Sequence, residues 1–408
     1  MNGAANNILI LGGHTRFNCG DRAIRTAILD QLRAEDPSAR FHIVTREPAR
    51  DEAEWQAHAI AGGTPELLRK SAFLRNLGLL IWGGGHLLQD DSSKVKNMYW
   101  ALVLNLLRLR TRCPMVGYGV GVGPGDSAWG RFFAARALAP LDAFAARDER
   151  SADLVRQWTR GRLPVRVLPD PAVDLRPAPR AEAAAYLERE HGVPLSGDEV
   201  RIGISLRRWF HVGRPFLPLQ WRHRWKSGAP AAPPLFEQFG RNLAGALNRL
   251  AAGRRIRLLF FPMSCSPWEG DDAVCAELQR EVAAPSHLVK PDIPAPLLKA
   301  LFGLCDLFVG VRLHATILAL GMNVPMLNIA YVRRASDLFA RLGLPDQSLP
   351  IEEAAAPGGE ARLLDALTRL YEGRREIGGA QARAWAPLAA ECRAGYARFI
   401  QEILAGKP

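Results

Sequence analysis

Two short runs of this sequence combine an apolar strand end with side chains able to hold an anion and move a proton. Gly310-Val311-Arg312-Leu313-His314 closes one apolar stretch and leads at once into an apolar helix, Ala315 to Leu320. Arg312 and His314 are two residues apart, so both leave the strand terminus on one side. An arginine there offers a forked pair of donors to an oxyanion, and a histidine beside it can give or take a proton near neutral pH. A charged residue ahead of an all-apolar helix is costly unless it meets a partner. The second run is Ala146-Arg147-Asp148-Glu149-Arg150-Ser151, followed by Pro169-Asp170-Pro171. Arg147 at the strand end is set to fork an oxyanion, with a structural Arg–Asp pair as the competing reading.

Glycine-rich loops add to this set. Phe17-Asn18-Cys19-Gly20-Asp21 follows the first strand and Gly12-Gly13 and feeds a helix. Such a loop presents backbone N–H groups and a positive dipole end, so Asn18, Gly20 and Asp21 are expected around a phosphate or carboxylate, with Asn18 or Asp21 also able to cap the helix. The dinucleotide fingerprint G-x-G-x-x-G is absent here. In Trp82-Gly83-Gly84-Gly85-His86-Leu87-Leu88-Gln89-Asp90 the glycines permit close backbone approach, and Gly84, Gly85, His86 and Asp90 are expected to line the same space. Between Arg201 and Lys226 there is no acidic residue, while Trp209, Trp221, Arg222, Arg224 and Trp225 interleave aromatic and basic groups. That composition suits an acceptor-side or membrane-facing loop; inward-packed tryptophans with solvated arginines are the alternative.

These side chains need a frame that brings strand ends together. Short apolar runs alternate with amphipathic stretches almost throughout, the pattern of parallel sheets covered by helices. Strands are expected at Asn7–Leu11, Phe41–Thr45, Leu77–Trp82, Met115–Val122, Asp142–Ala146 and Val165–Leu168, and again at Arg201–Leu206, Ile256–Pro262, Asp306–Val311 and Val324–Ile329. The composition shift at Leu175–Arg180 separates the two series. The expected organisation is an α/β chain of two Rossmann-like lobes facing a cleft: residues 1–176, a linker and helix at 177–199, a second lobe at 200–375 and a helical tail at 376–408.

Composition excludes several classes. With 408 residues, 48% hydrophobic and 23% charged, the chain has the make-up of a folded protein of two large domains or three small ones. A mean hydropathy of −0.06 and the lack of a long apolar run argue against a membrane span. The opening residues carry no basic segment ahead of their apolar stretch, so a cytoplasmic protein is expected. The formal charge of +12, nearly all of its excess arginine, suits anionic partners without choosing among them. Six scattered cysteines show no metal-ligand spacing, so reduced thiols and no metal are expected.

The ordered series F-N-x-G-D-x-A-I, G-G-G-x-L-x-x-D, G-x-G-V-G-P, A-R-D-x-x-S, D-P-A, G-I-S-L-R and G-x-R-L-H-x-x-I-L-A resembles the polysaccharide pyruvyl transferase family from about Asn7 to Tyr331. The resemblance implies a fold similar to the GT-B glycosyltransferases. It also implies transfer of the carboxyvinyl unit of phosphoenolpyruvate to a sugar of an exopolysaccharide or its lipid-linked precursor, giving a cyclic pyruvate ketal and phosphate. Carried over by motif, His314 and Arg312 are the implied catalytic pair and Arg147 a donor-binding residue, with Arg207 a weaker match. Many members place a lysine after the strand that ends here at Tyr331; this chain has Arg333 and Arg334, and Arg334 fits the slot. An arginine there keeps anion binding but cannot act as a neutral amine base.

The implied partners are phosphoenolpyruvate as co-substrate, a sugar acceptor that is either lipid-linked or soluble, and a peripheral contact with the inner membrane surface. No cofactor is expected. A GT-B glycosyltransferase with a nucleotide-sugar donor is the alternative of the same architecture. A non-catalytic binder of anionic glycans or nucleic acid is the alternative from another class. Interspersed acidic residues and the absence of a nucleic-acid-binding motif weigh against nucleic acid.

Overall fold

The computed structural model describes residues 7–13, 17–90, 93–195, 197–208, 234–267, 269–290, 292–331 and 333–406. Its first sheet is built from β1 (Asn7–Leu11), β2 (Arg40–Thr45), β3 (His58–Ala61), β4 (Leu79–Gly83), β5 (His86–Leu88), β6 (Met115–Val122), β7 (Ala143–Ala146) and β8 (Val165–Val167). The order is β3-β2-β1-β4-β6-β7-β8, with β5 paired to the far end of β6. Every pairing in it is parallel, so strands that pair are joined by crossovers, while β5 follows β4 after only Gly84 and Gly85. Most of those crossings are helices: α1 (Cys19–Glu35), α2 (Pro48–Trp55), α3 (Gly63–Arg69), α4 (Ser71–Arg75), α5 (Lys94–Arg108), α6 (Ala128–Leu138) and α7 (Glu149–Thr159). The central strand sequences, NILIL and LLIWG, are near-continuous apolar runs, as strands buried on both faces require.

After α8 (Arg180–His191) a second parallel sheet begins, with β9 (Val200–Ser205), β10 (Ile256–Phe260), β11 (Ser286–Leu288), β12 (Leu307–Gly310), β13 (Met326–Ala330) and β14 (Ser348–Pro350). Its order is β11-β10-β9-β12-β13-β14. The helices of this half are α9 (Pro234–Ala251), α10 (Asp271–Glu281), α11 (Ala295–Phe302), α12 (Leu313–Leu320), α13 (Arg333–Arg341), α14 (Ile351–Ala355), α15 (Gly359–Glu372) and α16 (Arg374–Leu404).

Three apolar cores hold this together. One lies on the outer side of each sheet, and a third runs between the lobes, joining Ile24 and Ile28 of α1 to Leu298, Phe302 and Phe308 of the second half. The tail is not a separate appendage. α16 returns to the first lobe, where Tyr396 stacks on Tyr118 with ring centroids 4.4 Å apart and donates to the Pro169 carbonyl at 3.1 Å.

Register decides what the strand ends can present. In the first sheet β4, β6 and β7 are neighbours, with Gly83 opposite Tyr118 and Val120 opposite Ala146, so His86, Val122 and Arg147 emerge together. In the second, β9, β12 and β13 are neighbours, with Gly310 opposite both Ser205 and Asn328, so Arg207, Arg312 and Tyr331 do the same. A cleft outside the carboxyl ends of the strands is where such sheets bind ligands.

Candidate active site

Arg147 leaves the end of β7 and donates from Nη1 to Asp170 Oδ2 at 3.0 Å, with both side chains only 7% exposed. The guanidinium fits because position 121 is glycine; a Cβ there would stand 2.5 Å from Arg147 Nη2. Asp170 caps the 3-10 turn Pro171–Asp174, accepting the Ala172 N–H at 3.0 Å. From the other lobe, His314 in the first turn of α12 brings Nε2 to 3.5 Å from the same Asp170 oxygen. Its ring is seated against Gly20, where a Cβ would fall 2.2 Å from Nδ1. One buried carboxylate therefore stands between an arginine of the first lobe and a histidine of the second.

Burial pushes the Asp170 carboxyl up, but the hydrogen-bonding and charge of His314, the Arg147 charge and the Ala172 N–H outweigh it and hold it at about 2. Arg147 Nε is buried without a hydrogen-bond partner among the described residues, and His314 Nε2 has only its long 3.5 Å contact with Asp170. Buried polar atoms are rarely left so unless a ligand or a chemical role completes them.

Arg312 is placed otherwise than expected. Its Nε and Nη2 donate to the two oxygens of Asp271 at 2.5 and 2.7 Å, and Nη2 also reaches Glu269 Oε2 at 3.1 Å. Burial lowers its proton affinity, yet the two carboxylates raise it further, so the group is a fixed cation. The expectation of a bare fork is corrected: a guanidinium this buried is stable only with its charge offset, and Asp271 at the start of α10 does that. Glu269 is shared with Arg207 at 3.1 Å and, burial notwithstanding, is held at about 2 by Arg312 and Arg207. Arg207 also donates to Tyr331 Oη at 2.5 Å and lies over its ring, 5.1 Å from the centroid.

Arg334, in the first turn of α13, spans the cleft. Its Nη2 donates to the Val122 carbonyl at 2.8 Å, Nε lies 3.6 Å from Asp148 Oδ2, and Nη1 donates to His86 Nδ1. An arginine has no lone pair to offer, so His86 Nδ1 is the acceptor and Nε2–H donates to the Gly123 carbonyl. Burial first, then the charges of Arg334, Arg147 and Lys96, push His86 well below the ordinary histidine range, which keeps the ring neutral. Lys96 closes this edge with a 2.6 Å bond to the His86 carbonyl.

Three further expectations are corrected. Asp90 does not face the cleft with His86: it is buried, accepts from the Ser127 hydroxyl at 2.6 Å and from the N–H groups of Asp126 and Ser127 at 3.2 and 2.8 Å, and so secures the start of α6. The N-terminus of α1 is not an open anion cradle. Asn18 Oδ1 takes the Gly20 and Asp21 N–H groups at 2.9 and 3.2 Å, the Asn18 carbonyl takes Arg22 N–H, and the Met263 carbonyl of the other lobe takes Cys19 N–H. This loop is a seam between lobes, and the function of Gly20 is to leave room for His314. Gly84 and Gly85 both adopt positive φ, and a Cβ on Gly85 would fall 2.7 Å from Asp21 Oδ1, so Gly85 makes space for a side chain of the seam. Trp209, Trp221, Arg222, Arg224 and Trp225 lie outside the described residues.

An Arg–Asp pair is the competing reading of the sequence at Arg147, which the Arg147–Asp170 bond matches, whereas Glu269 and Asp271, the anions that hold Arg312, were passed over. Signals existed in D-P-A and in Glu269-x-Asp271 at a loop-to-helix start, but carboxylates at such positions read first as caps. For Asp170 and Glu269, both held at about 2, the effect is measurable. A carboxyl whose folded value lies below its unfolded one contributes stability that is complete above the unfolded value and lost as pH falls through the folded one. Thermal stability is therefore expected to drop between about pH 4 and pH 2. Asp170→Asn should make that loss shallower in melts across the window; an unchanged slope would remove Asp170 from the effect.

A family model described as polysaccharide pyruvyl transferase matches residues 18–332. Among solved structures, the UDP-GlcNAc 2-epimerase of Neisseria meningitidis bound to UDP-GlcNAc is similar at TM-score 0.60 and 11% identity, covering 98% of this chain and 100% of that one. Anabaena HepE in complex with UDP and glucose gives TM-score 0.59 and 12% identity, covering 98% and 99%. A putative UDP-N-acetylglucosamine 2-epimerase from Listeria monocytogenes gives 0.61 and 13%, covering 99% and 98%. The shared property is the fold, the two-lobe GT-B arrangement with both sheets opening on one cleft.

Proposed function

The chain belongs to the polysaccharide pyruvyl transferase family, and we propose that it moves the carboxyvinyl unit of phosphoenolpyruvate onto a sugar of an exopolysaccharide or its lipid-linked precursor, closing a cyclic ketal and releasing phosphate. The observation that carries this reading is the pair of buried, under-satisfied nitrogens flanking Asp170 across the cleft: Arg147 Nε, without a hydrogen-bond partner among the described residues, and His314 Nε2, held only by the 3.5 Å contact with Asp170. Phosphoenolpyruvate carries a phosphate and a carboxylate on three carbons, so its site needs several donors in a small volume. The donors are then Arg147 and Arg334, whose charges both act on His86, and Arg207, which shares Glu269 with Arg312, while the fixed Arg312 cation supplies field beside His314.

In this reading His314 gives its proton to the methylene carbon, and an oxocarbenium-like centre forms at the carbon bearing phosphate and carboxylate. One sugar hydroxyl adds there and its proton returns to the histidine. Phosphate then leaves with its bonding pair, and a second hydroxyl closes the ring, its proton leaving with phosphate. Two hydroxyl protons are thus released, one balancing the new methyl group and one the phosphate. Asp170 positions the ring, and the neutral His86 holds Arg334 at the cleft edge.

Incubation with phosphoenolpyruvate and a panel of acceptors, reading phosphate release and mass gain on the sugar, tests this. Phosphoenolpyruvate is also expected to raise the melting temperature. Protection by nucleotide sugars but not by phosphoenolpyruvate, with no phosphate released, would replace the reading by a glycosyltransferase. The segment holding Trp209, Trp221, Arg222, Arg224 and Trp225 is assigned to the acceptor side. Replacing the last four together should raise the acceptor KM and leave phosphoenolpyruvate affinity unchanged; a donor-affinity loss would contradict the assignment.

A further inference from the structure

Among the described residues, seven large hydrophobic side chains are exposed, and five of them, Tyr99, Leu102, Leu109, Trp129 and Phe132, belong to α5, α6 and the residue after α5. They are not scattered. On α5 the inward residues Trp100, Val103, Leu104 and Leu107 are buried in the outer core of the first lobe, as are Ala134, Ala137 and Leu138 of α6. The helices lie side by side, tied by Asn97 to the Gly130 carbonyl at 3.1 Å and Asn105 to the Arg136 carbonyl at 2.8 Å. Their opposite faces therefore point away from the sheet in the same direction. Leu102 is 61% exposed, Leu109 81% and Phe132 54%. Spacings of three and four residues bring Tyr99, Leu102, Leu106 and Leu109 onto one outward stripe of α5. Among the described residues nothing covers Leu102, Leu109 and Phe132 on that face, while Tyr99 at its edge shares a 2.6 Å hydrogen bond with Thr64 Oγ1 of α3.

The charge around that face selects the partner. From residue 92 to residue 141 the chain holds seven lysines and arginines and a single acidic residue, Asp126. Arg110, Arg112, Arg131 and Arg136 are exposed, and Arg136 lies over the Phe132 ring, 5.3 Å from its centroid. The acids nearby, Glu66 of α3 and Glu149 and Asp153 of α7, belong to the flanking helices and are paired with Arg69 and Arg156, so the apolar face itself is set among arginines, the composition of a surface that rests at headgroup level. Tryptophan and tyrosine favour that depth in particular.

We propose that the outward face of α5 and α6 docks on an anionic lipid bilayer. The contact is peripheral in kind: it lays two helices flat and threads none. It also has a direction, because Lys96, in the first turn of α5, reaches the His86 carbonyl at the cleft edge, so docking holds the cleft mouth beside the lipid surface. The proposal does not rest on the donor chemistry, and its readout needs no substrate.

Co-sedimentation of the full chain with phosphatidylcholine vesicles, with and without phosphatidylglycerol, tests it. Binding is expected to the anionic vesicles, to weaken with salt, and to fall at least tenfold in the double variant Leu102→Glu/Phe132→Glu, with its melting temperature kept because both positions are exposed. Leu404→Glu, at an exposed apolar position elsewhere, should bind as wild type does. Absence of binding to anionic vesicles, or equal binding by the double variant, would overturn the proposal. So would loss of binding only on replacing Trp221, Arg222, Arg224 and Trp225, or a solution dimer without vesicle affinity that the double variant dissociates, since a second copy would then cover the face.

Discussion

His314→Gln is expected to lower the turnover number by 10²–10⁴-fold, the range typical of a lost acid–base group, while the fold and most phosphoenolpyruvate affinity persist. The argument is one of elimination within the cleft. Asp170 and Glu269 are each held at about 2, too weakly basic to take a proton near neutral pH. His86 is bonded through both ring nitrogens and kept neutral by burial and by the Arg334, Arg147 and Lys96 charges. Arginines do not deprotonate in proteins. Asp271 is fully buried with both oxygens bonded by Arg312, which leaves His314, whose Nε2 has only the 3.5 Å contact with Asp170. Glutamine keeps much of the shape of imidazole, so packing against Gly20 survives and the comparison reads chemistry. Steady-state turnover with a thermal-shift titration of phosphoenolpyruvate separates the two effects. Turnover near the wild-type rate in a folded variant would remove His314 from the mechanism. Asp170→Asn, which keeps size but loses charge, should fall between the two.

The framework was legible because its strands are buried on both faces and so are written as unbroken apolar runs. Asn7–Leu11 and Met115–Val122 form strands over the expected residues, and the other central strands agree within two residues at either end. What escaped is equally physical. His58–Ala61, His86–Leu88, Ser286–Leu288 and Ser348–Pro350 are three or four residues long, and three of them lie at sheet edges where polar residues are tolerated. At the site, spacing could bring Arg312 and His314 to one strand end but could not show that Asp271 had already claimed the arginine. That pairing joins residues 41 apart in sequence, and the His86–Arg334 contact joins residues 248 apart. The aromatic exposure of α5 and α6 was hidden for the opposite reason: an apolar face reads as core whether or not anything covers it.

The two arginines that the sequence treated alike should therefore behave differently. Arg312→Ala leaves Asp271, which has no solvent exposure, without its counter-ion, and Glu269 with one fewer. Breaking a buried pair from one side costs about 3–5 kcal/mol, because the remaining charge cannot be rehydrated in place. This variant is expected to unfold at clearly lower denaturant, and Asp271→Asn added to it should recover part of the loss by removing the stranded charge. Arg147→Ala leaves Asp170 with His314 and the Ala172 N–H still beside it, so the loss of stability is smaller. Its principal effect is on the donor, where one charge-assisted contact is worth about 1.5–3 kcal/mol, a ten- to hundred-fold or greater weakening of phosphoenolpyruvate binding. Denaturation midpoints and calorimetric titration of both variants decide the matter. Should Arg312→Ala keep wild-type stability and lose only donor binding, the Arg312–Asp271–Glu269 group would be a ligand fork after all, with its carboxylates displaced when phosphoenolpyruvate arrives.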